Sequence, residues 1–190
     1  MAWIQGYCEE SRSVNIFYLD EDPRQCAEWM VDKHVVKMIL ETAQLLSTAH
    51  RILDGVEFID TSGPRKKKVY TLHDERDTIL YSATHINHPS AVWARQSVEN
   101  YNWLVDHLFA LGAEYTYRYG KTHATMTKMG VEIATPPLNL KEWDMTPMPS
   151  CMDEQYKIGE DPIANYRNYY KYGKASMHNW KKRQAPEWIN

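Results

Sequence analysis

Lys33, His34, Lys37 and Glu41 fall close together in this sequence, followed by Gln44 and Thr48. Spacings of three and four place them side by side on one side of a helix. Two amines, an imidazole and a carboxylate equip a surface for nucleophilic or general acid–base catalysis. A lysine that has lost its proton attacks carbon, and the imidazole or carboxylate moves the proton. The same stripe also reads as an ordinary solvated helix face, on which Lys37–Glu41 is a surface pair worth little.

The element that must carry the stripe runs from Pro23 to Leu53. Asp22 is a good N-cap, Pro23 suits the first helical position, and Gly55 is a plausible stop. Most of the remaining circumference is apolar, including Ala27, Val31, Val35, Met38, Ile39, Leu45, Leu46 and Leu53. The pattern predicts one long, central, buried helix. Charges on such a helix must be paired or do chemistry, so the stripe is the leading site candidate, with Lys33, His34, Lys37 and Glu41 as catalytic groups and Gln44 as a substrate contact.

A second long helix is expected from about Ser90 to Tyr119, with Gly120 ending it. Trp93, Leu104, Leu108, Leu111 and Tyr115 mark its core face, and Gln96, Ser97 and Asn100 share that side. Trp93, Arg95 and Asn100, with Asn87 and His88 from the turn before it, are candidate substrate contacts facing the stripe. The polar members read equally well as satisfied core groups. His85 and His88, three apart, are possible metal ligands with His34, Glu41 or His50; the same residues read as a helix-capping turn with Pro89 opening the helix. His73-Asp74 matches one dyad of HD-type phosphohydrolases without the partner motifs. There is no P-loop, no GxGxxG and no GxSxG.

The other elements are shorter. Asn15–Leu19 reads as a strand or an extended lead-in. Val56–Asp60 and Lys66–Leu72 flank Gly63-Pro64, which is either a small hairpin or a basic loop. Arg65–Lys68 is a charge run of the kind usually solvated. Helical spacing recurs over His73–His85 and over Ala124–Ile133. Gly120–His123 is a polar, basic turn that adds Lys121 and His123 as substrate contacts. Thr135–Tyr156 holds Pro136, Pro137, Pro147 and Pro149 and reads as a loop. Asp161-Pro162 starts a last helix to about Lys182, and Trp188 is a candidate anchor. The expected fold is mainly α: a single compact helical domain over 15–190, preceded by an N-terminal extension over 1–14.

Composition sets bounds on function. The chain has 190 residues, 25% charged and 43% apolar, ordinary values for a soluble globular domain. No apolar run spans a bilayer and no signal peptide is visible, so no membrane partner is expected. Cys8, Cys26 and Cys151 are widely spaced without a CxxC and suit a reducing cytoplasm. Tyrosine (13) and tryptophan (7) outnumber phenylalanine (3), which favours surfaces that both stack and hydrogen-bond. The net charge of −3 argues against a uniformly basic coat for nucleic acid, but its distribution is uneven: Pro162–Pro186 has six basic residues and no acid. There Arg167, Lys171 and Lys174 interleave with Tyr169 and Tyr170. Basic groups neutralise phosphates and rings stack on unpaired bases, so these five are candidate nucleic-acid contacts. The bland reading is a final helix with its rings on the core and its charges in water.

NIFYLDEDP, DKHVVKMILETAQLLSTAH, NHPSAVWARQSVENYNWL, YRYGKTH and YRNYYKYGKA resemble a family of uncharacterised bacteriophage proteins over most of the chain after residue 14. More distantly, the layout resembles phage pyrimidine-dimer DNA glycosylases of the endonuclease V type. The features shared are the Lys33, His34, Lys37 cluster, the Asn87–Pro89 turn and the Tyr169–Lys174 tail. The resemblance implies a compact helical domain acting on damaged DNA without a cofactor. That family uses a free N-terminal amine and a glutamate; here 14 residues precede Asn15, and His34 stands at the glutamate's position. The resemblance then implies that Lys33 or Lys37 supplies the amine, given burial that lowers its pKa because only the neutral amine attacks, with Glu41 the carboxylate and His34 a proton shuttle near neutral pH.

These observations lead to an expected enzyme of DNA or nucleotide metabolism in a host cytoplasm, most concretely a DNA glycosylase with lyase activity on damaged or modified pyrimidines. The alternatives are a metal-dependent nucleotide hydrolase or transferase using His34, Glu41, His85 and His88, and a non-catalytic phage factor that binds a nucleotide or a host protein.

Overall fold

The computed structural model describes residues 14–129 and 131–190. Of the segment read as an extension, only Val14 lies within the described residues, and it is buried in the core. The chain is mainly helical, as expected. Among the described residues it has α1 (Pro23–Trp29), α2 (Asp32–Asp54), β1 (Val56–Asp60), β2 (Lys67–Thr71), α3 (Arg76–Ile79), α4 (Pro89–Ala94), α5 (Val98–Tyr119), α6 (Ala124–Met129) and α7 (Pro162–Gly173). No described helix is long and apolar enough to cross a membrane.

The predicted Pro23–Leu53 helix is two helices. Asp22 and Pro23 start α1 as expected, with the Asp22 carboxylate accepting from Arg24 N–H. Met30 and Val31 are then extended, because partners elsewhere in the fold take their backbone groups. Val31 N–H donates to the Tyr170 hydroxyl, and the Met30 carbonyl accepts from Arg118. Asp32 begins α2 with its carboxylate bound to Arg118 and to Asn179 and Lys181 of the tail. Gly55 does close α2, in an extended rather than left-handed conformation.

The predicted Ser90–Tyr119 helix also divides. Ser97 accepts from Asn100 N–H and starts a new helix, while the Glu142 and Trp143 carbonyls take the N–H groups of Val98 and Glu99. Gly120 ends α5 at φ +71°, the left-handed region a glycine enters without penalty. Over 73–85 only α3 is helical, and over 124–133 the helix stops at Met129, with a 3₁₀ turn at Glu132–Ala134. The last helix ends at Gly173 rather than Lys182. A Cβ at Gly173 would sit 2.6 Å from the Tyr169 ring, so the glycine admits that ring.

Asn15–Leu19 is a largely buried lead-in rather than a strand, turned at Phe17, whose φ is +58°. The hairpin forms, pairing Val56 with Thr71 through to Asp60 with Lys67. Thr135–Tyr156 is a loop apart from its last 3₁₀ turn. The core fills the space between α2, α4, α5 and α7 with large rings, including fully buried Tyr18, Tyr101, Tyr166 and Tyr170 and the nearly buried Trp93. Trp188 does anchor the tail: its ring meets Trp29 edge-on at 5.8 Å.

Candidate functional site

Lys33, His34 and Lys37, one turn of α2, line a cavity of about 230 Å³ together with Tyr169 and Lys174 from the end of α7. Two stretches singled out separately in the sequence thus meet in one place. Helical spacing presents the α2 groups on one side, and the close of α7 at Gly173 brings Lys174 over the Tyr169 ring, 4.6 Å from its centre. Phe17 is the third wall. Its backbone sits at φ +58°, a strained conformation for a bulky residue, and this turn lays its ring flat against His34 at 4.3 Å and 18°.

His34 is 5% exposed. Its Nδ1 lies 2.6 Å from the Tyr170 hydroxyl. Burial, followed by the positive charges of Lys174 and Lys37, pushes the imidazole down to about 3. The ring is therefore neutral through the physiological range. A shuttle near neutral pH is expected of a group that titrates there, and burial moves His34 well below that range.

Glu41 stands at the rim. One oxygen is 2.9 Å from Lys37 Nζ, and the other accepts the Asn15 N–H at 3.2 Å. Lys37 is 59% exposed and Glu41 12%, so the carboxylate is the sheltered partner. Asn15 is itself held: its side chain donates to the Cys151 carbonyl and accepts from Tyr166. Asp153, from the proline-rich loop, puts a carboxylate in the lining itself. Phe17, Asn15 and Asp153 were missed in the sequence. Asn15–Leu19 read only as a lead-in, and nothing around Asp153 marks its approach.

The other expected contacts lie elsewhere. Gln44 and Thr48 continue the α2 stripe, but the Thr48 hydroxyl binds the Gln44 carbonyl and both backbone groups of Thr84, pinning a loop. Trp93 is a core residue whose indole donates to the Thr146 carbonyl. Asn100 is fully buried and binds Trp93 and both the backbone and hydroxyl of Thr146, clasping the proline-rich loop. Arg95 ends α4 and donates to the Ala91 carbonyl. None of these five lines the cavity, so Asn100 is the satisfied core group of the alternative reading. Asn87 is exposed, and His88 caps α4 by accepting from Ser90 N–H, with burial pushing its imidazole down to about 4. Lys121 and His123 sit at the α5–α6 turn, where His123 accepts from Thr125 N–H.

Among the described residues no three His, Cys, Asp or Glu side chains gather as a metal requires. His34, His50 and His88 each engage a ring nitrogen in a separate hydrogen bond. In the basic tail, Arg167 binds Asp20 and the Leu19 carbonyl and covers Trp29, and Lys171 donates to the Asn190 carbonyl. Of the five candidate nucleic-acid contacts, Tyr169 and Lys174 line the cavity, Tyr170 supports it from beneath, and Arg167 and Lys171 hold the fold. Comparison of the chain with protein-family models, with curated proteins and with solved structures gives no match.

The cavity combines three ammonium groups, two aromatic rings, a neutral imidazole and one carboxylate, with Glu41 paired to Lys37 beside it. Ammonium groups suit phosphate, and ring faces suit a planar base. Its volume is below the roughly 300–1,000 Å³ of pockets for drug-sized ligands, so it fits a group the size of a single base, with sugar and phosphate left at the mouth.

Proposed function

We propose that this chain acts on a single nucleotide of DNA, turned out of its strand into the cavity between α2 and the end of α7, as a glycosylase with lyase activity on damaged or modified pyrimidines. The observation that carries this reading is the convergence of Lys33, Lys37 and Lys174 on one aromatic-walled cavity with Glu41 at its rim. Turning the base out exposes its faces to Phe17 and Tyr169 and its phosphates to the lysines. An amine from Lys33 or Lys37, relieved of its proton by Glu41, attacks the sugar at C1′. The bond from C1′ to the base breaks and the base leaves with a proton. Opening of the sugar ring, with O4′ taking a proton, leaves an imine between lysine and sugar.

Borohydride trapping tests this. Protein mixed with ultraviolet-irradiated duplex is expected to form a reduced covalent adduct and to cleave the strand, with or without chelator. Lys33→Ala or Lys37→Ala should abolish the adduct. Absence of both adduct and cleavage overturns the enzyme reading.

A second reading has its own support: Arg167 is engaged by Asp20 and Lys171 by the Asn190 carbonyl, which leaves fewer cations to track a strand. On that reading the cavity binds a free nucleotide without turning it over, and calorimetry with a mononucleotide shows saturable binding and no product.

A further inference from the structure

The β1–β2 hairpin stands outside the cavity and has no role in the chemistry above. Phe58 and Ile59 on β1 are 46% and 50% exposed, and β alternation puts them on opposite faces of the ribbon. Val56 shares the Phe58 face, and Val69 stands opposite Phe58 on the partner strand. A two-stranded ribbon with apolar groups bare on both faces is a poor solution for a protein with no partner.

Its charges are also unbalanced. The ribbon's two acids are matched across the strands, Glu57 with Lys68 at 2.8 Å and Asp60 with Lys67 at 3.6 Å. Arg65 and Lys66, beside the turn, make no ion pair among the described residues. The hairpin therefore presents surplus positive charge at its turn and, three to four residues along the ribbon, a bare aromatic ring. Cations near an exposed ring fit a strand with phosphates on one side and unpaired bases on the other.

We propose that the β1–β2 hairpin is a second nucleic-acid contact, in which Arg65 and Lys66 take phosphates and Phe58 stacks on an unpaired base. This rests on the reading of the protein as one that engages DNA, but on different residues from the cavity. Along α2, Lys37 and Gly55 are about 27 Å apart at 1.5 Å per residue. A strand touching both places must therefore run several nucleotides, which a very short oligonucleotide does not span.

The test uses the full chain and fluorescence anisotropy with single-stranded oligonucleotides of about four and about sixteen nucleotides, over a range of salt. The wild type should bind the longer one more tightly. The double variant Arg65→Ala, Lys66→Ala should lose about tenfold on the longer oligonucleotide and reduce its salt slope by about two, leaving the shorter one unchanged. Phe58→Ala should lose at least about fivefold on the longer one. The charge variant lies on exposed turn residues, so it keeps the test open if Phe58→Ala perturbs the ribbon. Equal affinity of wild type and double variant for the longer oligonucleotide overturns the proposal, as does wild-type binding only to phosphatidylserine-containing vesicles. Mononucleotide binding that Lys33→Ala abolishes, together with no effect of the hairpin variants, sinks the hairpin and spares the cavity. Loss confined to the hairpin variants, with no adduct in the borohydride experiment, does the reverse.

Discussion

Tyr170 decides which nitrogen of His34 carries the proton. The Tyr170 oxygen accepts the Val31 N–H at 3.2 Å, and among the described residues the acceptor within reach of its own proton is His34 Nδ1, 2.6 Å away. Nδ1 is then the acceptor, and the neutral ring keeps its proton on Nε2. The break between α1 and α2 serves this arrangement, because an unbroken helix would hold the Val31 N–H within its own ladder.

Tyr170→Phe removes both bonds. The buried Val31 N–H loses its partner, which costs about 1–3 kcal/mol. Nothing then holds His34 in one tautomer. The expected outcome is a lower urea midpoint together with nitrogen chemical shifts for His34 that report a mixture of tautomers. Shifts matching the wild type, with only stability lost, would show that Tyr170 supports the fold without setting the ring.

Acid should unfold this protein earlier than its carboxylates require. Burial pushes His34 down to about 3 and His50 and His107 down to about 4, from an ordinary 6.5. Their folded pKa values lie below the unfolded ones, so the unfolded chain binds protons more readily. Stability from these groups is complete above about 6.5 and falls as pH drops from there to between 4 and 3. Each protonating histidine contributes a slope of about 1.4 kcal/mol per pH unit. Urea midpoints taken stepwise from about pH 7 to 5 should decline steeply. A flat series would mean that these imidazoles protonate freely in the native state.

Glu41→Gln separates chemistry from stability. The Lys37–Glu41 pair is largely exposed on its lysine side and is worth about 0–1 kcal/mol. Glutamine still offers an oxygen to the Asn15 N–H. The melting temperature should move little, while adduct formation falls by at least about a hundredfold, the lower end of what a positioned proton acceptor contributes. An unchanged adduct rate would remove Glu41 from the reaction.

Local signals in the sequence give the helical class, the Asp22-Pro23 and Asp161-Pro162 starts, the hairpin and the α2 stripe, because caps and periodicity act within a few residues. The two helix breaks were not legible there. Met30 and Val31 leave the helix because Arg118 and Tyr170 reach them from far along the chain, and the Val98 and Glu99 N–H groups go to the Glu142 and Trp143 carbonyls instead of back along a continuous helix. Half of the candidate site was visible for the same reason. Lys33, His34 and Lys37 share a periodic element, whereas Phe17 enters through a left-handed turn that no propensity announces. The tail misled because composition does not show which cations find an internal partner: Lys174 lines the cavity, and Arg167 closes on Asp20.

One buried ion pair should govern the far end of α2. Arg76 donates to Asp54 at 2.7 Å, contacts His50 Nδ1 at 2.9 Å and chelates Asp74. Burial alone would raise the Asp54 carboxyl, but Arg76 and the N–H groups of Leu138 and Asn139 hold it below the usual range. With Arg76 donating to Nδ1, His50 carries its proton on Nε2 and passes it to Tyr101, whose hydroxyl donates to the Ile133 carbonyl. This chain of bonds ties α3 and the 133–139 segment to the end of α2. Arg76→Met leaves a carboxylate that is 3% exposed without its cation and should cost about 3–5 kcal/mol. Asp54→Asn added to Arg76→Met removes the stranded charge, so the double variant should be more stable than the sum of the two single losses by about 1–3 kcal/mol. Chemical denaturation of the four proteins in the cycle measures that coupling. Additive losses would show that the pair is a surface contact and that the backbone N–H groups alone hold Asp54.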